Sequence, residues 1–225
     1  MSQNKFSIEA LKEIFNSAFE NGYKFLTMNE YLKRNGPVER CFITRLDLDF
    51  KPASLKPFVA LSLEMSIPFT LFVRVAGPYN VFWYPHFQAI ESAAEAGFEI
   101  GLHTSPVEWA AFMKRDVEEV FAAELSALRF KFPVVGVAPH RDINYAYNSL
   151  PWLDENWALI GTKYKLNYHA YEQKFFQDFI YVNEGLSPHL GWRDLTPMDA
   201  IKTGKNIYML LHPHWWFVQH PFEVD

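Results

Sequence analysis

Six residues hold the clearest chemical potential of this chain: Asp47 and Asp49 in "FITRLDLDF", His103 closing "FEIGLH", His140 and Arg141 after "VVGVAP", and His212 closing "NIYMLLH". Carboxylates and imidazoles bind divalent metals and carry protons. Two aspartates on one face of a strand have Cα atoms roughly 6 to 7 Å apart, so one can hold a cation while the other reaches a water on it. The cation also relieves their mutual repulsion. Taken alone, such a pair equally suits a solvated strand face.

The elements around these residues argue against that plainer reading. In "FITRLDLDF", Phe42, Leu46, Leu48 and Phe50 share one face and Ile43, Arg45, Asp47 and Asp49 the other. "FEIGLH" repeats the pattern, with Phe98, Ile100 and Leu102 opposite Glu99, Gly101 and His103. The chain then alternates strand and helix: "CFITRLDLD", "SLKPFVALSLEM", "IPFTLFVRV", "PHFQAIESAAEA", "FEIGLH", a helix over 115–130, "VVGVAP", a helix over 147–156, a short strand near "ALIG", and a helix over 197–203 leading to "NIYMLLH". Helices between strands imply parallel pairing and right-handed crossovers. In a parallel α/β barrel the reactive groups come from the carboxyl ends of strands, which is where these polar residues fall.

Ser7 predicts a helix N-cap, with Ile8, Leu11, Ile14, Phe15, Ala18 and Phe19 at helical spacing behind it. A single α/β domain over 1–225 is expected, with the helical segment 7–34 packed on the barrel. Residues 163–195 are rich in aromatics, carry no clear periodicity, and are suited to lining a cleft.

A net charge of -5 provides no basic footprint, so nucleic acid is not an expected partner. The single Cys41 excludes an intramolecular disulfide and suits a reducing compartment. The first 25 residues lack a continuous apolar core and carry early acidic residues, which predicts no secretory signal and a cytoplasmic protein. No apolar run is long enough to span a membrane. The oligomeric state is left open. Aromatic residues make up 17% of the chain, enough to supply rings for stacking on sugars.

With these residues in place, the chain resembles the polysaccharide deacetylase superfamily, the NodB-like domain of carbohydrate esterase family four. "RLDLDF" is similar to its first motif, "EIGLHTSPVEW" to the second, "APHRD" to the arginine-containing third and "LLHP" to the closing LxH, in the family's order over about residues 40 to 214. The resemblance implies a distorted, incomplete (β/α) barrel and divalent-metal-dependent hydrolysis of an acyl group, N-acetyl foremost, on a sugar.

Carried onto this chain, the resemblance makes Asp47 the general base, His212 the general acid, and Asp49 and His103 metal ligands; the reverse order of the aspartates across Leu48 is the alternative. Val107 stands where the family has its second histidine, and His140 is the expected substitute ligand. Arg141 would orient Asp47 or hold the sugar, and Arg45, Trp192, His214 and Trp215 would contact substrate. Zinc is the implied metal, with cobalt, nickel and manganese as alternatives. The implied substrate is a small or carrier-linked sugar in polysaccharide biosynthesis. Two other readings are hydrolysis of another C–N bond, as in formamidase- or allantoinase-like relatives, and a catalytically inactive carbohydrate-binding member, to which Val107 points.

Overall fold

The computed structural model describes residues 6–34, 36, 38–140, 147–185 and 191–218. The elements follow in the order α1 (Ile8–Glu20), β1 (Lys24–Phe25), α2 (Met28–Leu32), β2 (Cys41–Leu48), α3 (Leu55–Met65), β3 (Thr70–Arg74), α4 (Tyr84–Glu95), β4 (Glu99–Thr104) and α5 (Pro106–Met113). They continue with α6 (Val117–Arg129), β5 (Gly136–Pro139), α7 (Ser149–Tyr164), β6 (Tyr168–His169), α8 (Lys174–Gln177), β7 (Phe179–Asn183), α9 (Pro197–Lys202) and β8 (Asn206–Leu211). All pairings between these strands are parallel, in the order β6-β5-β4-β3-β2-β8-β7, with β1 added to β2. Among the described residues the main path ends at β6 and β7, which do not pair with each other, so the expected barrel is present in incomplete form.

Side-chain alternation along β2 sorts its residues into two layers. Phe42, Leu46 and Leu48 join the outer core between sheet and helices. Ile43 faces the interior with Phe72, Tyr168 and Tyr208. Both faces of β2 are buried, so its polar side meets the barrel interior and not bulk water.

Glycine makes this interior possible at two places. A Cβ on Gly101 would stand 2.4 Å from the Phe72 ring, and one on Gly136 would stand 2.2 Å from the ring of Tyr168. The two aromatic rings lie directly over β4 and β5 and form a floor beneath the strand ends.

Ser7 caps α1 by accepting from the Ala10 amide (3.1 Å), and Thr27 and Glu30 form a capping box on α2. Leu11, Ile14, Phe15 and Ala18 carry α1 onto the outer core. Truncating the fully buried Phe15 to Ala should cost about 3–5 kcal/mol.

The structure corrects one sequence expectation and fills two stretches left unassigned. The "ALIG" strand lies inside α7, which runs on to Tyr164 in place of stopping near 156. α5, with Pro106 at its first position, follows β4 directly and was not anticipated. The unassigned aromatic stretch holds β6, α8 and β7. No helix among the described residues is long and apolar enough to cross a membrane.

Candidate metal centre and active site

Four strands of the sheet, β5, β4, β2 and β8, with β3 between β4 and β2, end in the residues singled out above. Asp47 is the penultimate residue of β2 and Asp49 follows its end; His103 lies in β4 in register with Arg74 of β3 and Ala138 of β5. His140 is one residue beyond β5, fixed there by its amide donating to the Thr104 carbonyl at 2.8 Å. His212 is one residue beyond β8. Parallel pairing brings all of these carboxyl ends to one side of the sheet.

The Nδ1–H of His103 donates to the Ala138 carbonyl at 2.9 Å, so that in the neutral ring Nε2 carries the lone pair. That Nε2 faces Asp49 Oδ1 at 3.2 Å and Asp47 Oδ2 at 3.3 Å. His103 Nε2 and Asp49 Oδ1 are both buried without a hydrogen-bond partner. Two buried acceptors held face to face call for a cation between them. His140 brings a third donor atom, its Nε2 3.6 Å from Asp49 Oδ1. One atom from each of Asp49, His103 and His140 lies within 4.8 Å of the others. This mixed N/O donor set fits a divalent metal.

Asp47 is committed elsewhere. Arg45 Nε donates to its Oδ1 at 2.7 Å and Nη2 to its Oδ2 at 2.6 Å. The guanidinium also donates to Tyr208 Oη at 3.2 Å and lies over the rings of Tyr171 (4.7 Å) and Phe72 (5.3 Å). Burial works against a charged carboxylate here, but the Arg45 guanidinium outweighs it and holds Asp47 below the usual carboxylate range. Asp47 thus stays anionic, aimed by two bonds.

Glu184, one residue past β7, was missed by sequence reasoning. Its Oε2 accepts from both the ring Nδ1 and the backbone amide of His212, each at 2.8 Å, while Oε1 accepts from Trp216 Nε1. Burial disfavours an imidazolium at position 212, yet Glu184, with Asp49 and Asp47 behind it, raises the His212 pKa above its ordinary value. His212 Nε2 points back at the metal group, 3.6 Å from Asp49 Oδ2. A carboxylate one residue past a parallel strand was the available signal, hidden because β7 had not been recognised.

The remaining expected contacts fall unevenly. Arg45 is wholly buried against Asp47, so its guanidinium has no exposed face for a substrate. Trp192 packs on Phe6 (5.5 Å) and Trp216 (6.1 Å), behind the Glu184–His212 pair, as part of the wall. Trp215 lies on the His212 ring at 4.6 Å, and His214 on Phe50 at 4.9 Å, both at the lip of the site. Val107 sits in the first turn of α5 with its amide 3.3 Å from Ser149 Oγ, so that turn brings no ligand from this position. Arg141 lies outside the described residues.

Together these features define an incomplete parallel (β/α) barrel of the NodB-like kind. The chain shares that fold with the catalytic domain of a peptidoglycan N-acetylglucosamine deacetylase from Eubacterium rectale, at a TM-score of 0.50 and 14% identity over 80% of this chain and 79% of that one. No protein-family model matches this chain, and no curated protein matches it.

Proposed function

We propose that the chain is a divalent-metal-dependent hydrolase that removes an acyl group, N-acetyl foremost, from a sugar. The observation that carries this reading is the group of buried Asp49 and His103 with half-buried His140, flanked by Asp47 bound to Arg45 on one side and His212 bound to Glu184 on the other. The likeness of fold to a peptidoglycan deacetylase domain supports the substrate class.

Asp49, His103 and His140 hold the ion, and zinc is the metal best matched to two imidazoles and one carboxylate. The chemistry that a divalent ion supplies when bound is polarisation of the acyl carbonyl and a lowered pKa for water, from about 15.7 toward roughly 7. Asp47 takes a proton from the attacking water. His212, charged with the help of Glu184, gives a proton to the leaving nitrogen as its bond to the acyl carbon breaks. The products are a carboxylate and a free amine. Arg45 acts through Asp47 as a positioning residue. Trp215 and His214, at the lip, meet the sugar.

The catalytically inactive alternative drew on Val107, and the imidazole of His140 within the ligand group favours the active reading. The working context proposed is the cytoplasm, on a small or carrier-linked sugar. Acetate release from N-acetylglucosamine-containing substrates tests the function. Activity abolished by a chelator and restored by zinc or cobalt is expected. Acetate release that is indifferent to chelation would overturn the metal-dependent reading, and a metal-loaded chain that releases no acyl group would overturn the hydrolase.

A further inference from the structure

Beside the lip of the site lies a cavity of about 200 Å³ whose lining includes Lys51, Ser54, Lys56, His214 and Trp216, and no carboxylate among the described residues. In a chain with a net charge of -5, two lysines facing one cavity stand out. Lys56 makes no ion pair among the described residues, and both lysines are exposed. His214, which also lines the cavity, has a buried Nδ1 without a hydrogen-bond partner. Ser54 does not cap α3; its hydroxyl donates to the Lys51 carbonyl at 2.5 Å.

The cavity is tied to the metal group by short links. Lys51 follows Asp49 by two residues, which spans at most roughly 7 Å of chain. Phe50, between them, packs on His214 (4.9 Å), and His214 packs on Trp215 (5.5 Å), which lies on His212 (4.6 Å). The cavity thus adjoins the metal group through Phe50, His214 and Trp215.

We propose that this cavity binds a phosphate or diphosphate substituent of the substrate, so that the acylated sugar is a sugar phosphate or a diphosphate-linked sugar and not a neutral polymer. Two ammonium groups match a phosphate dianion in charge, and His214 Nδ1 offers the hydrogen bond that its buried position lacks. The sugar half of this proposal rests on the functional reading above, whereas the anion half stands on the cavity alone.

Calorimetric titration of inorganic phosphate and pyrophosphate into the full chain at low salt tests it, comparing wild type with the double variant Lys51→Gln/Lys56→Gln. Any phosphate drawn to the metal group is common to both proteins. The double variant is expected to bind phosphate at least tenfold more weakly, while Lys24→Gln, a surface charge loss on β1, binds as wild type does. Tighter binding of pyrophosphate than of phosphate assigns a diphosphate linkage, and equal binding a monophosphate. With an N-acetylated sugar and its phosphorylated counterpart, the ratio of kcat/KM favouring the phosphorylated one should fall at least tenfold in the double variant. Equal phosphate affinity in wild type and double variant, or an equal loss in Lys24→Gln, overturns the proposal. If neither sugar is hydrolysed while phosphate binding still depends on the two lysines, the hydrolase reading fails and the anion cavity stands.

Discussion

Arg45 and Asp47, two residues apart on one strand, form a two-point ion pair with Nε–Oδ1 at 2.7 Å and Nη2–Oδ2 at 2.6 Å, the arginine side chain fully buried. Removing either partner leaves a buried charge without compensation. Arg45→Met is expected to destabilise the chain by about 3–5 kcal/mol, measured by urea denaturation. Arg45→Lys keeps the charge but loses the fork and should cost less. A loss below about 1 kcal/mol in Arg45→Met would show that Asp47 finds its stabilisation elsewhere.

The two aspartates are expected to fail differently. Asp47→Asn is nearly isosteric, should keep the metal, and should lose about a hundredfold to ten-thousandfold in turnover because the amide accepts no proton. Asp49→Asn should lose both metal and turnover. Elemental analysis beside acetate-release kinetics separates them, and reversed metal contents would exchange the two roles across Leu48.

Glu184→Gln should move the alkaline limb of the rate profile to lower pH. The carboxylate raises the His212 pKa, so wild type keeps the proton-donating form to higher pH than an ordinary histidine does. The stability that this pairing adds is fully present below the unfolded value of about 6.5 and is lost as pH rises through the raised folded value. An alkaline limb unmoved in Glu184→Gln would demote the pair to a structural role.

His169 predicts an acid sensitivity separate from the metal group. Its ring is buried against Trp157 (4.9 Å), and burial, with Lys174 adding to it, pushes its pKa down to about 4. Asp154 Oδ1 is 3.2 Å from Nε2, but that side chain is 54% exposed and screened by water, so burial wins. Because the folded value is depressed, the contribution to stability is complete above the unfolded value of about 6.5 and is lost as pH falls toward about 4. His169→Gln should therefore lose less stability than wild type between about pH 7.5, above this window, and about pH 5, inside it. Parallel losses in urea midpoint would place the acid sensitivity elsewhere.

Much of this site was legible because period-two alternation and strand-end position are written directly into "RLDLD", "EIGLH" and "MLLH". His140 was legible as a strand-end residue, and the structure brings its nitrogen to Asp49. The pairing of Arg45 with Asp47 was not: same-face neighbours on a strand are equally able to point at solvent, and only the closed interior decides between the two. Glu184 was hidden for another reason. In "FIYVN" the first four residues, Phe179, Ile180, Tyr181 and Val182, are all apolar or aromatic, so no polar–apolar alternation marks β7 in the sequence. The "ALIG" segment misled because four apolar residues fit a short strand or a buried helical turn equally well.

The proposed hydrolysis requires Asp49, His103 and His140 to hold one divalent ion together. Zinc titration of chelator-treated wild type and of His103→Ala and His140→Ala, followed by calorimetry and elemental analysis, tests it most directly. One ion per chain is expected in wild type and strongly weakened binding in each variant, since a site with three protein ligands has none to spare. Wild type that binds no stoichiometric ion, or variants that bind zinc as tightly as wild type, would contradict it.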